Sequence, residues 1–209
     1  MQFINNINFK NLILSIFIVS LTACAAQTEN SGTQPTEDSL PAFVKIQTPP
    51  VTPKFKRDYI RAISLMQSNK NNSAIRALKL LTQNYPQFAG PHVNLGLIYF
   101  HAKQYSKAQK AFDKALNLNP NNAVSHNHIG VIQRKNGKFK DALKSYQLAI
   151  RSKPKYANAH LNIGILYDIY LANLSKALEH YKRYQEITGN KDKNVSKWII
   201  DIERRVNAS

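Results

Sequence analysis

Cys24 is the only cysteine in the chain, and its thiol is the nucleophile with the clearest chemical use. An apolar run from Leu12 to Leu21 stands before it, and Lys10 supplies a positive charge ahead of that run. A basic start, a short apolar middle and small residues near the cut are typical of a secretory signal. A transmembrane helix needs about twenty apolar residues, so we expect this run to be removed and not retained as a membrane span.

The histidines are the second group of residues that could do chemistry, and they argue against a metal site. His92, His126 and His160 are spaced by 34 residues, so they recur at one position of a repeated unit. Neighbouring helices lie about 8–10 Å apart, whereas zinc needs its nitrogen ligands at about 2.0–2.1 Å. We therefore expect these side chains to pack and to hold neither a metal nor a cofactor. Sequence signatures of hydrolases, metalloproteases and phosphate-binding loops are absent, which predicts a protein without catalytic activity.

The segment around the cysteine resembles a known processing site. Leu21-Thr22-Ala23-Cys24 is similar to the lipobox of bacterial lipoproteins. The resemblance implies a lipoprotein signal peptide over residues 1–23 and a thioether-linked diacylglycerol on Cys24, which would anchor the protein to a membrane. Ala25 stands where an aspartate commonly signals retention in the inner membrane, so the expected location is the periplasmic face of the outer membrane. The alternative is a buried free cysteine in a signal that fits by chance.

Residues 24–54 are predicted to be a disordered linker behind this anchor. They are rich in Gln, Thr, Asn and Ser and contain Pro35, Pro41, Pro49, Pro50 and Pro53. Such a composition buries too little apolar surface to offset the entropy lost on ordering. The folded part can then stand away from the membrane.

From residue 55 onward the sequence repeats with a period of 34. The recurring positions are Gly96, Gly130 and Gly164; Pro86, Pro120 and Pro154; and Ala74, Ala108 and Ala142, with Ala177 one residue later. This period and pattern resemble the tetratricopeptide repeat, a helix-turn-helix unit. The resemblance implies an all-α superhelical solenoid with repeats at 55–88, 89–122, 123–156 and 157–190, followed by a capping helix and tail at 191–209.

Departures from the pattern carry further expectations. In the first unit Ala62 replaces the glycine and Leu78 replaces the aromatic residue, so we interpret this unit as a degenerate repeat at the end of the array. The fourth unit has one extra residue, which we expect in the turn near Leu171-Ala172-Asn173. Gly96 is expected to face Ala108 on the second helix, and the aromatic residues are expected to fill the junctions between units. In the capping helix, Trp198 is expected to belong to the core.

Ligands of this family usually lie on the concave side, which the first helix of each unit lines. Aligning the units places thirteen residues there: Tyr59, Ile63, Met66, Val93, Leu97, Phe100, Asn127, Val131, Arg134, Lys135, Leu161, Ile165 and Ile169. An apolar groove of this kind suits an amphipathic helix or an extended peptide. The alternative is that some of these side chains only form the core between repeats. Val93 and Leu97 stand where a carboxylate-clamping subclass would need polar residues, so recognition of chaperone tails is not expected.

The net charge of +17 leaves a second function open. Lysines crowd the second helices, and they either solvate an outer face or attract a polyanion. Behind a lipoprotein signal, cell-wall polymer or anionic lipid is a more sensible polyanion than nucleic acid. The first hypothesis is a membrane-tethered adaptor that holds a segment of another envelope protein and supports assembly of an outer-membrane machine. Its layout is similar to repeat-containing lipoproteins that pilot pilus secretins, assist outer-membrane protein insertion or scaffold cell-wall hydrolases. Neither the partner nor the oligomeric state follows from the sequence.

Overall fold

The computed structural model describes residues 49–207, which form nine α-helices and no strand. The predicted signal peptide, Cys24 and most of the predicted linker lie outside these residues. The helices are α1 (Pro53–Gln67), α2 (Asn71–Asn84), α3 (Ala89–His101), α4 (Tyr105–Leu118), α5 (Ala123–Lys135), α6 (Phe139–Ser152), α7 (Ala157–Ile169), α8 (Leu174–Thr188) and α9 (Lys193–Asn207). Within this part of the chain no helix is both long and apolar enough to cross a bilayer.

The helices form four pairs, and each predicted unit contains one pair. Packing is most extensive within the pairs α1/α2, α3/α4, α5/α6 and α7/α8, and each second helix also contacts the first helix of the following unit. The first helices α3, α5 and α7 touch in sequence, and α9 packs on α8. The result is the predicted all-α solenoid with a capping helix.

The start of α1 corrects the predicted linker boundary. Pro53 and Lys54, assigned to the linker, lie in the first turn of α1. Thr52 caps this helix because its Oγ1 accepts a hydrogen bond from the Phe55 backbone N–H at 3.2 Å. Proline fits the first helical position because its fixed φ suits a helix and no helical partner is needed for its nitrogen.

The turn inside each unit has one residue in the left-handed region, at the same repeat position. These residues are Asn69, Lys103, Gly137 and Ala172, with φ of 58°, 57°, 74° and 49°. The first three turns have three residues each, whereas the turn between α7 and α8 spans residues 170–173. The extra residue of the last unit is therefore absorbed in this turn, as expected from the sequence.

The recurring glycines lie against aromatic rings of their own units, a contact that the sequence analysis did not single out. A Cβ built on Gly96 would lie 2.5 Å from Cε1 of Phe112, a ring that is completely buried. The same relation joins Gly130 to Tyr146 and Gly164 to Tyr181. In each of these three units the aromatic residue thus lies on its own glycine, because a Cβ at this position would clash with the ring. Phe112 also stacks on His128 of the next unit, at 5.3 Å between ring centroids, so the ring serves both contacts.

The capping helix is held by a buried amide and a small apolar face. Val195 and Ile202 are buried, and Gln185 Nε2 donates to the Asp192 carbonyl and to Ser196 Oγ, both at 2.6 Å. Trp198 is 40% exposed, although its ring lies 5.5 Å from that of Tyr181. The prediction of a core tryptophan is therefore only half right, because one side of the indole packs on Tyr181 and the rest is open to solvent.

Candidate partner-binding groove

The thirteen predicted groove residues lie on α1, α3, α5 and α7, which we call the first-helix surface. Four aliphatic residues occupy one repeat position along it and are all half-buried: Ile63, Leu97, Val131 and Ile165. Leu97 packs against the core cluster around Phe112, and Val131 and Ile165 pack against the core of the last units. We call these four residues the aliphatic row. Their inner parts belong to the core, and their outer parts offer an apolar strip to solvent.

A second set lies near the C-terminal ends of the first helices. Met66, Phe100 and Arg134 are half-buried, whereas Lys135 is exposed and Ile169 is 50% exposed. The Phe100 ring meets Tyr105 edge-on at 5.6 Å between centroids. The ammonium of Lys135 lies 5.1 Å from the centre of the same Tyr105 ring, so the lysine of one unit reaches over the preceding one.

Two predicted groove residues are not on an accessible surface. Val93 is 8% exposed and Asn127 is 3% exposed, so neither can meet a partner in this conformation. Asn127 Oδ1 accepts a hydrogen bond from Asn162 Nδ2 at 3.0 Å, across α5 and α7. This bond satisfies a buried polar group that would otherwise cost stability. For these two residues the expectation of groove exposure is wrong.

The equivalent contact ties the first two units. Asn94 Nδ2 donates to the Tyr59 hydroxyl at 2.6 Å, and burial raises the pKa of Tyr59. In both cases the two residues are 35 positions apart, one more than the repeat period. This spacing is visible in the sequence and could have predicted the hydrogen bond. Tyr59 and Leu161 remain half-buried members of the first-helix surface, and Leu161 packs on the core.

Arg134 carries the least compensated charge of this surface. Its Nη1 is buried and has no hydrogen-bond partner among the described residues, and the same holds for the Tyr146 hydroxyl. Burial raises the pKa of Tyr146 and of Tyr181 well above the usual range, so both hydroxyls stay neutral. Neither can therefore supply a negative charge to the guanidinium.

Asp168 stands at the position of Arg134 in the next unit, but its partners lie elsewhere. Its carboxylate accepts a hydrogen bond from the Tyr181 hydroxyl at 3.4 Å and lies 3.7 Å from Nη1 of Arg205 on α9. Burial raises the pKa of Asp168, while Arg205 acts in the opposite direction. Sequence reasoning missed this link between the capping helix and the groove, because nothing in the repeat period relates α9 to α7.

The spaced histidines pack against the backbone. Nε2 of His126 lies 2.7 Å from the Pro120 carbonyl, and Nε2 of His160 lies 3.1 Å from the Pro154 carbonyl, so the same contact recurs in two units. His160 also meets His180 on α8, with 3.2 Å between their Nδ1 atoms. Within residues 49–207, no three His, Cys, Asp or Glu side chains converge as metal ligands would.

The basic residues singled out on the second helices and in the turns before them are exposed. They are Lys103, Lys107, Lys110 and Lys114; Lys138, Lys140 and Lys144; and Lys176, Lys182 and Arg183. Lys182 pairs with Glu203 at 2.7 Å and Arg183 with Glu186 at 2.8 Å. The lysines of α4 and α6 form no salt bridge within the described part of the chain.

The four stacked pairs define a tetratricopeptide-type superhelix, and comparisons with known proteins agree. Family models described as tetratricopeptide repeat match residues 89–122 and 111–144, and one described as TPR repeat matches residues 132–168. The first match has the predicted bounds of the second unit. Residues 89–168 therefore match tetratricopeptide-repeat models, and repeats of this kind typically form scaffolds for protein–protein interaction.

Solved structures show the same fold. MamA from Desulfovibrio magneticus RS-1 is 20% identical with a TM-score of 0.62, covering 76% of this chain and 88% of that chain. PilF of Pseudomonas aeruginosa is 16% identical with a TM-score of 0.64, covering 74% and 69%. The first TPR of Spaghetti (RPAP3), bound to the HSP90 peptide SRMEEVD, is 23% identical with a TM-score of 0.53, covering 59% and 98%. No curated protein matches the sequence.

Proposed function

We propose that the protein is a non-catalytic adaptor that holds a segment of another envelope protein on its first-helix surface. The observation that carries this proposal is the aliphatic row, four apolar side chains at one position of four stacked helices. A strip of this kind gives the apolar residues of an amphipathic helix or an extended peptide a place to bury. A neighbour of the same fold, Spaghetti (RPAP3), has been solved with a bound peptide, which supports peptide capture as a use of this fold.

Glutamate substitutions in the aliphatic row test the proposal. Leu97→Glu combined with Ile165→Glu should abolish capture of the partner in cells, measured by crosslinking followed by mass spectrometry. Both side chains also touch the core, so Ile169→Glu provides a second variant at a site that is 50% exposed. Leu80→Glu is the matched control, because Leu80 is 56% exposed and lies on α2, a second helix.

The outcomes separate binding from folding. We expect all variants used to keep the far-UV circular dichroism of the parent protein, and only the first-helix variants to lose the partner. Undiminished crosslinks in folded Leu97→Glu/Ile165→Glu protein would overturn the proposal. Equal losses in Leu80→Glu would also overturn it, since the effect would then not belong to the groove.

Membrane anchoring is the second part of the proposal. It rests on the sequence around Cys24, a lipobox-like segment behind an apolar run. The anchor would place the solenoid at the periplasmic face of the outer membrane, where it would support assembly of a machine such as a pilus secretin. The similar fold of PilF is compatible with this setting. Cys24→Ser should block lipid attachment and removal of the signal peptide, and a product that is processed and sediments with envelopes as before would refute the anchor.

A second candidate function is binding of a polyanion, such as cell-wall polymer or anionic lipid, on the second helices. It is favoured by the exposed lysines of α4 and α6, which lack carboxylate partners within the described residues. Attraction between exposed charges is screened by salt, so sedimentation with anionic vesicles or cell-wall polymer should fall steeply as salt rises. The variant Lys110→Gln/Lys114→Gln/Lys140→Gln/Lys144→Gln should sediment less with the polyanion. Sedimentation that is insensitive to salt and to these substitutions would reject this second function.

A further inference from the structure

Two neighbouring cations on the first-helix surface have no carboxylate partner among the described residues. Arg134 and Lys135 end α5, and neither forms a salt bridge within residues 49–207. Neither α3 nor α5 contains an aspartate or glutamate. Asp168, the acidic residue on the next first helix, already pairs with Arg205 at 3.7 Å. As far as residues 49–207 show, the middle of the first-helix surface therefore carries positive charge without a carboxylate partner.

The packing of Arg134 makes its charge available to a ligand. Nη1 is buried without a hydrogen-bond partner, so no native hydrogen bond at this nitrogen is broken when the side chain turns outward. A buried donor that is unsatisfied costs stability, and a carboxylate at the surface would relieve that cost. The planar guanidinium also matches a carboxylate with two parallel hydrogen bonds. Lys135, exposed beside it, adds a second positive charge.

The apolar strip lies next to these charges. Val131, a member of the aliphatic row, precedes Arg134 by three residues on α5 and therefore shares its face. Leu97 and Phe100 stand at the matching positions of α3, one unit earlier. A ligand that covers both features needs apolar side chains on one side and an acidic side chain at their edge.

We propose that the occupant of the first-helix surface is an acidic amphipathic segment of a partner protein. Its apolar side chains lie on the aliphatic row, and an aspartate or glutamate side chain pairs with Arg134 and Lys135. This inference rests on the proposed function and specifies the chemistry of the partner. The charge selects against basic segments, because like charges brought together at an interface are unfavourable.

Binding of designed peptides to the folded protein tests the inference. Three fluorescent helical peptides share length, an amidated C-terminus and a leucine stripe at i, i+3, i+4 and i+7, and their flanks carry glutamate, glutamine or lysine. By fluorescence anisotropy at low salt, the glutamate peptide should bind tightest and the lysine peptide weakest. Arg134→Gln/Lys135→Gln should weaken binding of the glutamate peptide by at least about tenfold, the size expected for lost charge-assisted hydrogen bonds. The affinity of the glutamine peptide should change little.

Matched variants keep the result interpretable. Arg76→Gln/Lys79→Gln removes the same charge from exposed positions on α2, a second helix, and should leave binding of the glutamate peptide nearly unaffected. Arg134→Lys keeps the charge but loses the planar fork, so its affinity should fall between those of the parent and Arg134→Gln. Far-UV circular dichroism confirms that each variant is folded.

The possible outcomes distinguish the acidic partner from the adaptor function itself. Equal binding of all three peptides, abolished by Leu97→Glu/Ile165→Glu, would overturn the acidic partner and keep the adaptor. A loss of affinity in Arg76→Gln/Lys79→Gln as large as in Arg134→Gln/Lys135→Gln would also overturn it, because the attraction would then be nonspecific. A fourth peptide repeats the glutamate sequence with a free C-terminal carboxylate. Binding of this peptide alone would overturn the side-chain assignment. Failure of every peptide to bind would count against the groove itself and thus against both proposals.

Discussion

The contact between Gly96 and Phe112 predicts a strong energetic coupling between these two positions. In Gly96→Ala the new Cβ would lie 2.5 Å from Cε1 of a ring that is fully buried. Overpacking of this kind costs about 1–3 kcal/mol, whereas replacing glycine by alanine inside a helix favours folding by about 1 kcal/mol. We therefore expect the single variant to lose up to about 2 kcal/mol of unfolding free energy.

A double-mutant cycle isolates the steric part, because the helix-propensity gain of Gly96→Ala appears on both sides and cancels. Phe112→Leu alone removes ring atoms from the core and destabilises the protein. In Gly96→Ala/Phe112→Leu the shorter side chain leaves room for the methyl group. The double variant should be more stable than the sum of the singles by about 1–3 kcal/mol, since contacting residues couple by 0.5–3 kcal/mol.

The first unit of the chain already contains the compensated pair. Ala62 and Leu78 occupy the positions of Gly96 and Phe112, and both are completely buried. The reverse cycle follows: Leu78→Phe should clash with Ala62, and adding Ala62→Gly should relieve the clash. Urea denaturation monitored by circular dichroism measures both cycles. A coupling below about 0.5 kcal/mol in the Gly96 cycle, the usual limit of additivity, would refute the steric reasoning.

Three further predictions concern pH, the capping helix and a turn. Burial lowers the pKa of His180 to about 4 and also lowers the pKa of His160. Because histidine in an unfolded chain titrates near pH 6.5, the unfolded state takes up protons first. The free energy of unfolding should therefore be highest above about pH 6.5 and fall toward pH 4. Denaturation at several pH values should show a shallower fall in His180→Gln than in the parent protein. An equally steep fall in both would contradict the role of His180. Gln185→Leu should lower the free energy of unfolding by about 1–3 kcal/mol, because buried groups at the α8–α9 turn lose their hydrogen bonds. An unchanged denaturation midpoint would mean that this amide does not hold α9. Gly137→Ala should lower the free energy of unfolding by about 1 kcal/mol through the positive φ alone, since nothing lies within 4 Å of the added Cβ. An unchanged free energy of unfolding would show that the turn relaxes.

Much of the architecture could be predicted from the chain because the repeat positions have strict local requirements. A proline two residues after a second helix, as at Pro86, ends it whatever the neighbours are. A period of 34 residues with one insertion predicted both the helix pairs and the longer turn at 170–173. These features depend on residues close in sequence, where spacing translates directly into structure.

The candidate groove was predicted less well because exposure depends on neighbours in other units. Val93 and Asn127 share a repeat position with Tyr59 and Leu161, yet they are buried. Periodicity assigns a residue to a face of its helix, but the crossing and spacing of adjacent helices decide how much of that face is covered. The burial of Asn127 depends on the amide of Asn162, which the next helix supplies.

The amino-acid sequence by itself determined the repeat, the number of helix pairs and the side of each first helix that could meet a ligand. Tertiary packing decided which aromatic ring lies on which glycine and why Ala62 can replace glycine when Leu78 replaces the ring. It also decided that Asp168 pairs with Arg205, while Arg134 forms no salt bridge with any described residue. The physical reason is the range of the interactions. Helix formation and turn geometry are set within a few residues, whereas steric fit and charge pairing depend on atoms that only the folded chain brings together.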